Sequence, residues 1–137
     1  MTPIEHVEKL ANALDQDDYT TVTGVLSDDV VYRVGDRVLT GRDAVIASYA
    51  AASEMAHRLF DDVGYDHRVI ATDDPHVFRV MYSDLLTVAG ETHTHRAEQH
   101  VTVLPDVGVV AILDVEVAGE REKIDEFMAR HGLSRRA

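Results

Sequence analysis

A chain of 137 residues holds one core and is too short for two. Lys and Arg number 13 against 25 Asp and Glu, and the resulting net charge of −12 repels phosphate backbones and anionic membranes. Hydrophobic residues at 45% and charged residues at 28% are globular proportions, and the lack of Cys removes disulfides, thiolate nucleophiles and cysteine metal sites.

No apolar stretch is long enough to span a bilayer, and Met1–His6 lacks the basic-then-apolar pattern of a secretory leader. A cytoplasmic protein with no nucleic-acid or membrane partner is therefore expected. Pro3 suits a first helical turn, and Ile4, Val7, Leu10, Ala11 and Leu14 recur at helical spacing until Asp15-Gln16-Asp17-Asp18 breaks the pattern. A short helix carrying Tyr19, Val22, Val25 and Leu26 comes next, then a strand over Val30–Val34. Gly35-Asp36 turns the chain into Arg37–Thr40. Asp43 opens an alanine-rich helix over Ala44–Leu59, a composition that allows close approach to a sheet. Strands follow at 62–72, 76–89, 92–104 and 109–117, separated by Asp73-Asp74-Pro75, Gly90-Glu91 and Pro105–Gly108 turns. Glu120–Arg130 reads as a terminal helix with Ile124, Phe127 and Met128 inward, and 131–137 as a frayed tail. Helices first and hairpin-linked strands afterwards make an α+β pattern, a single domain over 1–137.

Three segments carry a family resemblance: Leu14–Tyr19, Val25–Tyr32 and Leu39–Val45. An apolar helix end, an acidic turn, a short helix, an L-x-D-D-V entry into a strand and a glycine ahead of the third helix occur in that order. In this the chain resembles the NTF2-like superfamily, and within it the SnoaL-like proteins, over roughly residues 4 to 118. The resemblance implies a cystatin-like cone, with the N-terminal helices packed on a strongly curved antiparallel or mixed sheet. It also implies an apolar pocket, no metal, no cofactor and a homodimer formed through the sheet. Isomerases, cyclases, hydrolases, dehydratases and binding-only proteins share this fold, so fold alone does not choose a function.

The pocket parity implied by the resemblance, extended with the period of two along strands, turns a set of side chains inward. They are Tyr32 and Val34; Tyr82, Asp84 and Leu86; His93, His95, Ala97, Gln99 and Val101; and Val110, Ile112, Asp114 and Glu116. Asp114 interrupts the most apolar strand, Val109–Val115, and matches by resemblance the position of a general base or water-activating aspartate. Its competing reading is a surface aspartate. Asp84 interrupts Val77–Leu86 in the same way, and two carboxylates in one dry cavity would separate into an acid and a base. His95 would relay the proton, as in the histidine–aspartate pair of SnoaL-like cyclases. Tyr82, Gln99 and Tyr32 would orient a substrate, with Val34, Leu86, Ile112 and Met55 as apolar wall. Tyr49 and Leu59 would cap the pocket or serve as plain core.

His93 and His95 form an H-x-H pair that could grip a metal with Asp84 or Asp114, but neither the incomplete motif nor the family favours one. Ketosteroid-isomerase chemistry is not expected, because its tyrosine, base and oxyanion aspartate fall on Leu10, Val34 and Gln99. Limonene-epoxide-hydrolase chemistry lacks its linking arginine, since Arg33, Arg79 and Arg96 read outward. The leading expectation is a cofactorless acid–base enzyme. It would carry out proton abstraction, cyclisation or dehydration on a small hydrophobic carbonyl or hydroxy compound. The alternative is a non-catalytic ligand-binding or dimeric assembly module.

Overall fold

The computed structural model describes residues 1–134. Among the described residues there are four helices: α1 (Pro3–Asp15), α2 (Tyr19–Val25), α3 (Arg42–Leu59) and α4 (Glu120–Arg130). The strands are β1 (Leu26–Val34), β2 (Arg37–Thr40), β3 (Asp62–Ala71), β4 (Val77–Val88), β5 (Glu91–Leu104) and β6 (Gly108–Val115).

Local chemistry sets the helix starts. The Thr2 hydroxyl accepts from the Glu5 N–H at the head of α1, and Pro3 costs nothing in a first turn that needs no donor. Asp17 takes a positive φ of 53°, and Asp18 then caps α2 by accepting from the Thr21 N–H. Val7, Leu10 and Ala11 of α1 and Val22 and Val25 of α2 are buried together. β1 begins at Leu26 rather than Val30, because Leu26 already pairs with Val109 of β6.

The six strands form one mixed sheet in the order β2-β1-β6-β5-β4-β3, in which only β1 and β6 run parallel. This corrects the strongly curved cone expected from the resemblance. The sheet is open, and its outer strands β2 and β3 do not pair with each other. Strong curvature needs bulges spread along the strands. Here the register shifts fall between Leu26 and Val31 in the β1–β6 pair and between Thr102 and Val103 in the β5–β6 pair. The β3–β4 and β4–β5 ladders run without a shift from Asp62 to Ala71 and from Val77 to Val88.

Helices α1 and α3 cover one face. Phe78, Val80, Val101, Val103 and Ile112 meet α1 there in the main core. A second cluster at the other end joins Phe60 and Leu86 to Ile124, Phe127 and Met128 of α4. The Arg96 N–H donates to Glu120 Oε1 at 2.8 Å and ties α4 to β5. Of the tail, His131 bonds Glu91 and Leu133 packs on the second cluster, while 135–137 lie outside the described residues. No helix among the described residues is long and apolar enough to cross a membrane.

Gly108 opens β6 with φ +105°, and a Cβ there would lie 2.5 Å from the Val25 carbonyl oxygen. Both the backbone conformation and the close approach require glycine. Gly108→Ala should therefore lose about 2–3 kcal/mol in urea denaturation; an unchanged midpoint would mean that the β6 start readjusts freely.

Candidate active site

Midway along the strands, between the two apolar clusters, lies a cavity of about 250 Å3. All five tyrosines of the chain line it: Tyr19, Tyr32, Tyr49, Tyr65 and Tyr82. So do four aspartates, Asp15, Asp17, Asp84 and Asp114, with Ser53 and Gln99 as the neutral polar groups. Among the described residues, no Lys, Arg or His lines it.

Strand register explains the convergence. Tyr82 stands opposite Ala97, Asp84 opposite His95, and Gln99 opposite Asp114, so one face collects groups from β4, β5 and β6. Tyr65 adds to the row from β3, where it pairs with Asp84. The acidic turn after α1 brings Asp15 and Asp17 over the same space, and α3 lowers Tyr49 and Ser53 onto it.

At one end, a chain of hydrogen bonds sets proton direction. Tyr49 donates its hydroxyl to Gln99 Oε1 at 2.8 Å, and Gln99 Nε2 donates to the Tyr32 hydroxyl at 2.8 Å. The Tyr32 oxygen already accepts, so its own proton is left to donate, and the chain polarises it for that purpose. The Tyr32 and Tyr49 rings stack with centroids 5.4 Å apart, holding the arrangement. Burial pushes both phenols above their usual pKa, so they stay protonated. Asp114, half-buried beside them, is likewise raised by burial, an effect the Gln99 amide partly offsets.

At the other end, His67 Nδ1 lies 2.5 Å from Asp15 Oδ2, with both side chains largely buried. Asp17 Oδ1 accepts from the Tyr19 hydroxyl at 3.0 Å and from Ser53 Oγ at 2.8 Å. Burial first, and the Asp15 charge second, push Asp84 up to about 6. Tyr82 Oη is buried with no hydrogen-bond partner, and burial raises its pKa as well.

Asp84, Asp114, Tyr82, Gln99 and Tyr32, singled out from the sequence, thus share one cavity. The other candidates lie elsewhere. His95 and Val34 line an adjoining cavity of about 370 Å3, which Asp114 and Ala97 also border. Leu86 belongs to the cluster under α4 and Ile112 to the main core, while Met55 is half-buried on α3 outside the cavity lining. Residues sharing a strand face run past the cavity into solid core at either end, so parity alone does not separate wall from core. His93 stacks on Phe127 at 5.1 Å and contributes to that core. The described residues hold no group of three or more His, Asp or Glu set to grip a metal.

Sequence reasoning missed Asp15, Asp17, Ser53, Tyr65 and His67. It also expected Asp84 and Asp114 to raise one another's pKa, whereas the neighbouring carboxylate that raises Asp84 is Asp15. The acidic run at 15–18 was the available signal, but it read as a helix stop.

Comparisons with family models and with curated proteins give no match. Solved structures do match. An LEH-like epoxide hydrolase of Mycobacterium tuberculosis is 20% identical, covers 95% of each chain and has a TM-score of 0.64. An epoxide hydrolase/cyclase-like enzyme with a role in pyran ring formation in the polyether salinomycin is 14% identical, covering 86% of this chain and 92% of its own, with a TM-score of 0.67. A second Mycobacterium tuberculosis protein, in complex with estradiol-17β-hemisuccinate, is 12% identical over 88% and 98% of the two chains, with a TM-score of 0.63. At such identities the likeness is one of fold: the chain has the NTF2-like fold that its sequence motifs resemble.

The raised Asp84 has a consequence for stability. The folded protein holds a proton that the unfolded chain, with a carboxyl at 3.8, has released, so folding binds protons between these two values. The stability this contributes is present below about pH 4 and lost as pH rises through about 6. Asp84→Asn should therefore be about 1–3 kcal/mol more stable than the parent at pH 8, with the gap closing at pH 4, in denaturant titrations. A variant less stable at pH 8 would show that the carboxylate is well solvated.

Proposed function

We propose that the protein is a cofactorless acid–base enzyme acting on a small hydrophobic carbonyl or hydroxy compound. The observation that carries this reading is the pairing of two carboxylates, Asp84 and Asp114, in one tyrosine-walled cavity where burial raises both. A buried carboxylate is a stronger base than a solvated one, and its protonated form is an acid still available near neutral pH. Asp114 is the base, with its raised pKa and the polarised Tyr32 hydroxyl beside it. Tyr32 donates to the substrate oxygen where negative charge develops, the role of an oxyanion donor. Asp84 is the acid, and its value of about 6 keeps a fraction protonated at neutral pH. Tyr82 Oη, buried with its hydrogen bond unused, is a further donor within the cavity. His95, on the adjoining cavity that Asp114 borders, relays the proton between Asp114 and solvent. Two structural relatives named for epoxide hydrolysis or cyclisation agree in chemistry class with this assignment.

Hydrogen–deuterium exchange at the acidic C–H of small cyclic ketones (cyclopentanone, 2-cyclohexenone and 2-tetralone) reads proton abstraction without knowledge of the natural substrate. Exchange above the buffer rate is expected, falling about 100-fold in Asp114→Asn. A parent protein no faster than buffer, or a variant as fast as the parent, refutes the base assignment and leaves the ligand-binding module as the reading.

The homodimer also belongs to this proposal. Leu85 and Leu113 are exposed on the sheet face opposite the cavity, where α1 and α3 do not reach. These two separate apolar points on an uncovered face suit the rim and centre of a contact with a second copy of the chain. Sedimentation should give the mass of two chains, reverting to one in Leu85→Glu/Leu113→Glu; a monomeric parent protein removes the dimer from the reading.

A further inference from the structure

Tyr32 meets a ligand as a donor, because its oxygen already accepts from Gln99. The orientation of that amide is fixed from a second side. Gln99 also lowers the pKa of Asp114, which a carboxamide does through its N–H and not through its oxygen. The opposite end of the cavity has the opposite polarity. Ser53 has one hydroxyl proton and gives it to Asp17 Oδ1 at 2.8 Å, the shorter of its two contacts and the one to a carboxylate. The 3.1 Å contact between Ser53 Oγ and Tyr65 Oη must therefore be made with the Tyr65 proton. Tyr19 spends its proton on the same Asp17 oxygen, at 3.0 Å. Hydroxyls from α2, α3 and β3 are thus all drawn towards one carboxylate in the turn after α1. The exposed His57 stands 3.5 Å from the other oxygen of that carboxylate.

A phenol whose proton is committed has only lone pairs to offer, and donating towards a carboxylate makes its oxygen a stronger acceptor. Tyr19 and Tyr65 both line the cavity in this state, so a polar ligand atom that reaches them has to bring a proton. A carbonyl or ether oxygen would meet lone pairs there and lose its water without replacement. Tyr82, its Oη buried and unpaired, can donate or accept and so sets no polarity of its own.

We propose that Tyr19 and Tyr65 form a subsite for a ligand hydroxyl, which donates to a phenol oxygen while Ser53 and Asp17 hold the phenol protons away. Under the acid–base reading, on which the carbonyl end rests but the hydroxyl subsite does not, the substrate is a hydroxy ketone. Its carbonyl oxygen lies at Tyr32, its apolar body crosses the cavity, and its hydroxyl reaches the far end. Ser53 and Asp17 are positioning residues here. A site built to pair a hydroxyl rejects the analogue lacking it more strongly than an apolar wall discriminates by size.

Bicyclic ketones test this in calorimetric titrations at pH 6: 6-hydroxy-1-tetralone and 7-hydroxy-1-tetralone, their methyl ethers, and 1-tetralone. The better-fitting hydroxy isomer is expected to bind about tenfold more tightly than 1-tetralone and than its own methyl ether. Tyr65→Phe should remove most of that advantage. Ser53→Ala should instead free the Tyr65 proton, so that the methyl ether gains while the hydroxy compound loses, a reversal that lost packing would not produce. Binding of 1-tetralone by each variant reports an intact fold. The inference is overturned if neither isomer binds more tightly than 1-tetralone, if a methyl ether matches its parent phenol, or if the preference survives both substitutions. If exchange of 2-tetralone is catalysed without a hydroxyl preference, the subsite fails and the enzyme reading stands. A hydroxyl preference without exchange gives the reverse, and no binding by any probe refutes the subsite.

Discussion

A one-residue slip of β4 against β5 would carry Tyr82 and Asp84 to the outer face of the sheet, away from Ala97 and Gln99. The uninterrupted ladder from Val77–Thr102 to Val88–Glu91 is therefore the constraint on which both core and cavity depend. The same alternation that sends Val80 and Val101 into the main core sends Asp84 and Gln99 into the cavity a few positions further along. Apolar residues at the ends of the shared face pin the register by burial, and the polar residues between them are held in place by it. The cavity is thus a gap in the core, kept open because its wall is made of groups that cannot close on one another without loss.

That gap is expensive in a particular way. Burying carboxylates is unfavourable, and the raised pKa values of Asp84 and Asp114 are the direct expression of it. Around them the remaining polar groups are satisfied in an ordered manner: Tyr49 to Gln99 to Tyr32 at one end, and Asp15 with His67 and Asp17 with Tyr19 and Ser53 at the other. Among these cavity groups the Tyr82 hydroxyl is the one left without a hydrogen-bond partner.

The open sheet bears on the same economy. Without closure, the cavity needs a lid and two end walls from elsewhere. The acidic turn and α3 provide the lid, while α1 packs the core at one end. The other end is closed by α4 through Phe127, against which His93 stacks, and the Glu120–Arg96 hydrogen bond fixes that helix to the sheet. The helix order along the chain is therefore tied to where the cavity lies along the strands.

Much of this was legible without coordinates. Periodicity located every helix and strand, missing chiefly the early start of β1, which depends on pairing with β6. Alternation together with the family motifs placed Asp84, Asp114, Tyr82, Gln99 and Tyr32 on one face. It did not separate cavity from core along that face, so Leu86 and Ile112 were read as wall. Local sequence determines which element a residue joins and which face it takes, because both follow from backbone geometry over a few residues. Only the tertiary structure decided that Asp15, Asp17, Ser53 and Tyr65 reach the cavity, that His67 pairs with Asp15, and that the sheet stays open. Those outcomes depend on how distant segments pack and where bulges fall, and no short stretch of chain encodes either.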